Sequence, residues 1–163
     1  MQKRIFIVIF LFFGSITYGQ TQQAKVDKLL EDWHAAAAAA NYVNYFDLMA
    51  ENSVFIGTDA TENWNKQEFM VWSKPYFDRG KAWSFSTLER NIFFAEDGEL
   101  AWFDELLDTQ MGICRGSGVA VKENGRWKIK HYVLSIAIPN ENVDAVTGLK
   151  AEFDKKLISK LRQ

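Results

Sequence analysis

Residues 115–139 read Arg115-Gly116-Ser117-Gly118-Val119-Ala120-Val121-Lys122-Glu123-Asn124-Gly125-Arg126-Trp127-Lys128-Ile129-Lys130-His131-Tyr132-Val133-Leu134-Ser135-Ile136-Ala137-Ile138-Pro139. Asn124-Gly125 sits between two alternating runs, and both residue types tolerate positive φ. The stretch therefore predicts a β-hairpin, with one strand from about Cys114 to Lys122, a turn at Glu123-Asn124-Gly125 and a long strand from Arg126 to Ile138. Alternation along the second strand groups Trp127, Ile129, His131, Val133 and Ser135 on one face. Tyr132, Leu134, Ile136 and Ile138 fall on the other, and because both faces are apolar late in the strand, both are expected to be covered.

The elements before the hairpin are helical first and extended afterwards. Val26, Leu29, Leu30, Trp33, Ala37 and Ala40 recur at helical spacing. His34 falls at the edge of that helix's polar face, where a solvated imidazole is expected. A short helix is expected at about Tyr42 to Met49, a strand from Ser53 to Gly57, and a third helix from Asn65 to Phe77 that Pro75 should end or kink. Strands follow over Ala82 to Phe94 and Leu100 to Thr109, turning at Asp97-Gly98. After the hairpin, Val146, Leu149, Phe153, Leu157 and Leu161 form one stripe of a closing amphipathic helix from Asn142 to Leu161. Helices followed by a meander of long strands indicate an α+β fold rather than a parallel α/β one.

The chain of 163 residues has room for a single cored domain. Its composition, 48% hydrophobic and 25% charged, excludes disorder as the main state. Lys3 and Arg4, the apolar run Ile5 to Phe13 and the small residue ending Thr17-Tyr18-Gly19 have the layout of an export signal over residues 1–19. That run is too short for a stable membrane anchor, so an exported, soluble, periplasmic or extracellular protein is expected. Without Lys3 and Arg4, 17 of the 19 basic residues remain against 21 acidic ones, a net charge of −4. This balance disfavours nucleic-acid binding. A single cysteine, Cys114, permits no internal disulfide. Cys and His spacing suggests no metal, and the sequence implies no cofactor, carrying neither a phosphate-cradling glycine loop nor a serine nucleophile elbow.

Several segments together resemble the SnoaL-like domains of the nuclear transport factor 2-like superfamily. They are Gly57-Thr58-Asp59-Ala60-Thr61-Glu62-Asn63-Trp64, Ala101-Trp102-Phe103-Asp104-Glu105, Arg115-Gly116-Ser117-Gly118, Gly125 through Tyr132, and Ser135 with Pro139-Asn140. The resemblance spans about Ala24 to Asn140. It implies N-terminal helices packed in a strongly bent antiparallel sheet that forms a cone with one open end, a cystatin-like α+β roll over residues 20–141. Residues 142–163 would add a C-terminal helix, which could cover the outer sheet face. The resemblance further implies a homodimer formed through that outer face. It leaves the activity open, since the scaffold carries binders, isomerases, cyclases, dehydratases and assembly modules.

Within that frame, His131 shares a face with Trp127 and Ile129 and is expected in the cone, where an imidazole can move a proton or hold a carbonyl. Arg115, flanked by Cys114 and small residues, suits either a buried ion pair with Asp104 or Glu105 or the capture of an anionic ligand. Asp104 and Glu105 are adjacent in a strand, so only one can enter the cavity. Asp59 and Glu62 lie in the loop expected at the mouth, where Asp59 is either a turn former or a catalytic acid. The candidate catalytic residues are thus His131, Asp59, Asp104 and Glu105. The candidate ligand contacts are Trp102, Arg115, His131, Trp64 and Trp72. The leading expectation is binding of a small, largely apolar ligand with an anionic or carbonyl group. An isomerase, cyclase or hydro-lyase using His131 or a carboxylate as base is the first alternative, and a non-catalytic dimerisation or accessory module the second.

Overall fold

The structure is a computed structural model that describes residues 3–163, with side chains from Thr21 onward. The export signal expected over residues 1–19 lies outside the residues whose side chains are described. Helices α1 (Lys3–Ala38), α2 (Tyr42–Asp47) and α3 (Lys66–Asp78) pack on a six-stranded sheet. Its strands are β1 (Met49–Ile56), β2 (Asn63–Asn65), β3 (Phe85–Phe94), β4 (Leu100–Thr109), β5 (Gly112–Glu123) and β6 (Arg126–Ile136). Helix α4 (Val143–Leu161) closes the chain. The architecture is α+β, as the order of elements predicts.

The strand order is β2-β1-β6-β5-β4-β3. All pairs are antiparallel except β1 with β6, which run parallel. The β5–β6 hairpin forms where expected, and Asn124 and Gly125 both take positive φ, 53° and 77°. That is the backbone of a tight hairpin turn whose twist matches the strands. Asn65 caps α3 and Glu68 returns the hydrogen bond, forming a capping box. Pro75 neither ends nor replaces the last turn of α3, which continues to Asp78. A proline removes one backbone bond near the helix end, and Phe69, Ser73 and Phe77 keep that face buried. Strand β1 starts four residues before the expected Ser53, and β2 escaped the sequence reading because three residues, Asn63-Trp64-Asn65, carry no alternation signal.

Three register shifts interrupt the sheet. They fall between Met49 and Val54 on β1, between Thr87 and Glu89 on β3, and on β6 opposite Val119 and Ala120. On β6, Ala120 pairs with Ile129 and Val119 with His131, so Lys130 is the extra residue. An extra residue bends the strand and reverses which side chains face inward beyond it. Trp127 and Ile129 point to the core before the bulge, and Tyr132 and Leu134 after it. The face grouping expected for the whole strand therefore holds only as far as Ile129.

The core lies between the helices and the inner sheet face. Val26, Leu30, Trp33 and Ala37 form the buried stripe of α1. Trp33 stacks on Tyr45 at 4.9 Å and meets the edge of Tyr132 at 4.7 Å. Helix α4 does not cover the outer sheet face. It buries no residue, and Leu149 in its apolar stripe is 88% exposed. Phe93 and Trp102 on the outer face remain about half exposed and stack on each other at 5.8 Å.

Candidate functional site

Two features occupy the inside of the fold, a buried ionic cluster and an aromatic cavity. The cluster centres on Glu105 of β4, which is completely buried. Its adjacent Asp104 faces outward, where it accepts from Asn91 at 3.1 Å. Oε1 of Glu105 lies 2.9 Å from Nε2 of His34 and accepts from the Tyr132 hydroxyl at 2.8 Å. Oε2 accepts from Nε of Arg90 at 2.9 Å, and the Nη2 end of the same guanidinium lies 2.8 Å away. Both carboxylate oxygens are thus fully engaged, a requirement for a charge held out of water.

Helix α1 supplies the other half of the cluster through a second stripe beside its apolar one. Asp27, Glu31 and His34 recur four and three residues apart, which aligns them on one side of the helix. Arg90 reaches Asp27 at 2.6 Å and Glu31 at 3.0 Å, while His34 turns inward to Glu105. His34 is only 4% exposed, contrary to the solvated position expected for it. Leu30, one turn earlier on the helix, is fully buried, and His34 follows it into the core.

Burial pushes the Glu105 carboxyl up, but the hydrogen bond and charge of His34, the charge of Arg90 and the Tyr132 hydrogen bond outweigh it. The net shift is downward, and Glu105 stays ionised. Tyr132 is driven well above the ordinary tyrosine range, first by burial and then by the neighbouring Glu105 charge, so its hydroxyl remains a donor. Arg90 is held above its ordinary range because Glu105 and Asp27 together outweigh its own desolvation.

The Arg115-Gly116-Ser117-Gly118 segment gains a physical meaning here. Gly116 pairs with Glu105 on one side and Leu134 on the other. A Cβ on Gly116 would come within 2.1 Å of the Tyr132 hydroxyl oxygen, and one on Gly118 within 2.3 Å of the His131 carbonyl oxygen and 2.7 Å of the Phe103 ring. Both glycines therefore clear the inner face so that large side chains of neighbouring strands can cross it.

Beside the cluster lies a cavity of about 140 Å³. Phe55, Trp64, Phe69, Trp72, Trp83 and Phe85 form most of its wall, with Leu134, Gly57, Thr58, Glu62 and Gln110 completing it. The rings support one another. Phe55 stacks on Phe69 at 4.2 Å, and Trp64 packs on Trp72 at 4.4 Å. Two wall residues also touch the cluster, Phe85 against His34 at 5.7 Å and Phe55 against Tyr132 at 5.7 Å. The ionic cluster thus sits one aromatic layer behind the cavity.

Of the side chains expected to bind or react, Trp64 and Trp72 line this cavity, and Glu105 lies in the cluster behind it. His131 does not enter the cone. The bulge at Lys130 turns it to the outer face, opposite Val54 and Val119. Arg115 is likewise outward, 56% exposed and 3.9 Å from Asp104, because it alternates with the inward Cys114 and Gly116. Trp102 shares that outer face. Asp59 is an exposed turn former, accepting from the Thr61 N–H at 2.8 Å and the Thr61 hydroxyl at 2.6 Å, and these bonds hold its carboxyl below the ordinary range. His34, Arg90 and Tyr132 are the inward polar residues not expected at the site, and Trp83 joins Trp64 and Trp72 in the cavity wall. Among the described residues, no cluster of His, Cys, Asp and Glu is arranged to hold a metal ion.

A family model described as a SnoaL-like domain matches residues 26–139. The chain belongs to the SnoaL-like domain family. Its fold is that of the nuclear transport factor 2-like superfamily. This SnoaL-like domain is similar to a nuclear transport factor 2-like protein of unknown function from Pseudomonas putida KT2440, at 15% identity and a TM-score of 0.63, over 76% of this chain and 92% of that one. It also resembles a protein from Novosphingobium aromaticivorans named as a candidate scytalone dehydratase, at 12% identity and a TM-score of 0.61, over 74% and 87% of the two chains. A candidate dehydratase of the nuclear transport factor 2-like family from Streptomyces avermitilis matches at 10% identity and a TM-score of 0.64, over 74% and 99%. At such identities these likenesses establish the fold alone. No curated protein matches the SnoaL-like chain.

Proposed function

We propose that this SnoaL-like domain binds a small, largely apolar molecule in its aromatic cavity. The observation that carries the reading is the cavity wall itself. Six aromatic rings line about 140 Å³, with Thr58, Glu62 and Gln110 as the polar side chains. Concave, mostly apolar sites with a few converging polar groups are where small ligands bind. The anion anchor expected of Arg115 has no counterpart there, since no Lys or Arg lines the cavity. Trp64 and Trp72 are the proposed ligand contacts. A thermal-shift and ligand-observed NMR screen of small apolar compounds tests this. Hits should be lost in Trp64→Ala and Trp72→Ala and kept in Arg115→Ala.

A second reading is an isomerase or hydro-lyase. The observation in its favour is the His34–Glu105 contact at 2.9 Å, one ring behind the cavity at Phe85. An imidazole oriented by a carboxylate is a common general base. Displacement of Phe85 would give a ligand access to it. Turnover of an enolisable carbonyl compound, lost in His34→Ala with binding retained, supports catalysis; absence of turnover leaves the binding function.

The protein is further proposed to be exported and to form a homodimer through the outer sheet face. Lys3, Arg4 and the apolar run after them support export. The exposed Phe93–Trp102 stack and Ile113 support an apolar contact surface on that face.

A further inference from the structure

Resting on the cavity reading above, we infer that the ligand is a small organic cation, a quaternary or methylated ammonium of about the size of choline. Ring faces carry negative potential and attract such cations, most strongly for tryptophan. Trp64, Trp72 and Trp83 supply three indoles to the wall, and Phe55, Phe69 and Phe85 supply the rest. The single formal charge among the lining residues is the carboxylate of Glu62.

That carboxylate is placed by the loop that carries it. Its Oε2 accepts the Asp59 N–H at 3.2 Å and lies over Gly57, where a Cβ would approach it to 2.1 Å. Gly57 N–H donates to the Glu62 carbonyl at 3.0 Å, and Glu62 N–H to the Asp59 carbonyl at 3.0 Å, closing the loop on itself. Gly57 therefore reserves the space that Glu62 fills. Among the described residues, no Lys, Arg or His pairs with the half-buried Glu62 within salt-bridge distance, so its carboxylate faces the Asp59 N–H but no cation of the protein. An anionic ligand would meet both this charge and the ring faces. A neutral one would leave the charge unanswered. A comparable contact lies outside the cavity, where the Arg79 guanidinium sits 4.7 Å over Tyr76, itself packed on Trp72 at 5.0 Å. A volume of about 140 Å³ falls below the roughly 300 Å³ at which pockets begin to hold drug-sized ligands, so it suits an ammonium head group.

The test compares choline with its uncharged tert-butyl analogue, in which carbon replaces the ammonium nitrogen. Both are titrated into the wild-type protein and into Glu62→Gln, following the indole NMR signals of Trp64, Trp72 and Trp83, with indole as a neutral aromatic control. Choline should bind the wild type about tenfold more tightly than the analogue, the factor a partly desolvated cation–π site supplies. Glu62→Gln should reduce that preference severalfold, leaving the part that the ring faces supply. Equal or tighter binding of the analogue overturns the cation assignment while leaving the cavity as a ligand site, and a preference undiminished in Glu62→Gln overturns the part given to Glu62. Failure of choline, the analogue and indole alike to shift these signals overturns both readings.

Discussion

Tyr132 donates a 2.8 Å hydrogen bond to Glu105 across a gap in the inner sheet face that Gly116 leaves open. The relationship joins three strands, because Gly116 on β5 lies between Glu105 on β4 and β6, which carries Tyr132. It also fixes the direction of β6 after its bulge, since only the shifted register aims Tyr132 inward. Substituting Gly116 by Ala places a Cβ 2.1 Å from the Tyr132 oxygen. Overpacking of this kind costs about 1–3 kcal/mol, and urea unfolding of Gly116→Ala should show a lower midpoint with an unchanged slope.

Tyr132→Phe removes the hydroxyl and keeps the ring, which packs on Trp33 and Phe55. A hydrogen bond to a charged acceptor contributes about 1.5–3 kcal/mol. The variant should be destabilised by an amount in that range, read from chemical denaturation, and its near-UV circular dichroism should stay close to wild type.

Glu105→Gln leaves the nearly buried Arg90 with Asp27 and Glu31 as its carboxylate partners, both about half exposed. Removing one member of a buried ion pair costs about 3 kcal/mol, so a loss of that order is expected at neutral pH. The same residue sets part of the acid limb. Its folded pKa lies below its unfolded one, so its stabilisation is fully present above the unfolded value of about 4.3 and is lost as pH falls through the lower folded value. Wild-type stability should decline below about pH 4.3 more steeply than that of Glu105→Gln, and urea midpoints across that window measure the difference.

Trp102→Asp should leave the fold intact and weaken self-association, because Trp102 stacks on Phe93 on the outer face and both are about half exposed. Light scattering coupled to size-exclusion chromatography should find the wild type dimeric and the variant monomeric at micromolar concentration. A monomeric wild type contradicts the proposed dimer.

The fold was legible because its signals are local. The Asn124-Gly125 turn, the helical stripe from Val26 to Ala37 and the alternating runs on either side of that turn each act within a few residues. The site was less legible because it depends on one residue of register. Nothing in Arg126 to Ile138 marks Lys130 as a bulge, and without it His131 reads as inward and Tyr132 as outward. His34 could have been found from its place one turn after Leu30, together with Asp27 and Glu31 on the same side of α1. Its partner Glu105, and the Arg90 that shares this carboxylate, come from strands 71 and 56 residues further on, and no spacing rule links such distant positions. Arg115 misled for the opposite reason. Its small neighbours suggest burial, but Gly116 and Gly118 make room for Tyr132 and Phe103 rather than for the arginine.

The central claim is that the aromatic cavity binds a small molecule. A two-dimensional amide spectrum of the indole N–H groups, recorded while titrating a hit from the small-molecule screen, tests it directly, since the six tryptophans report from separate places. Saturable shifts at Trp64, Trp72 and Trp83, with Trp102 unmoved on the outer face, are the predicted result. Shifts confined to Trp102, or no saturable shift at the three cavity tryptophans with any compound, would contradict it.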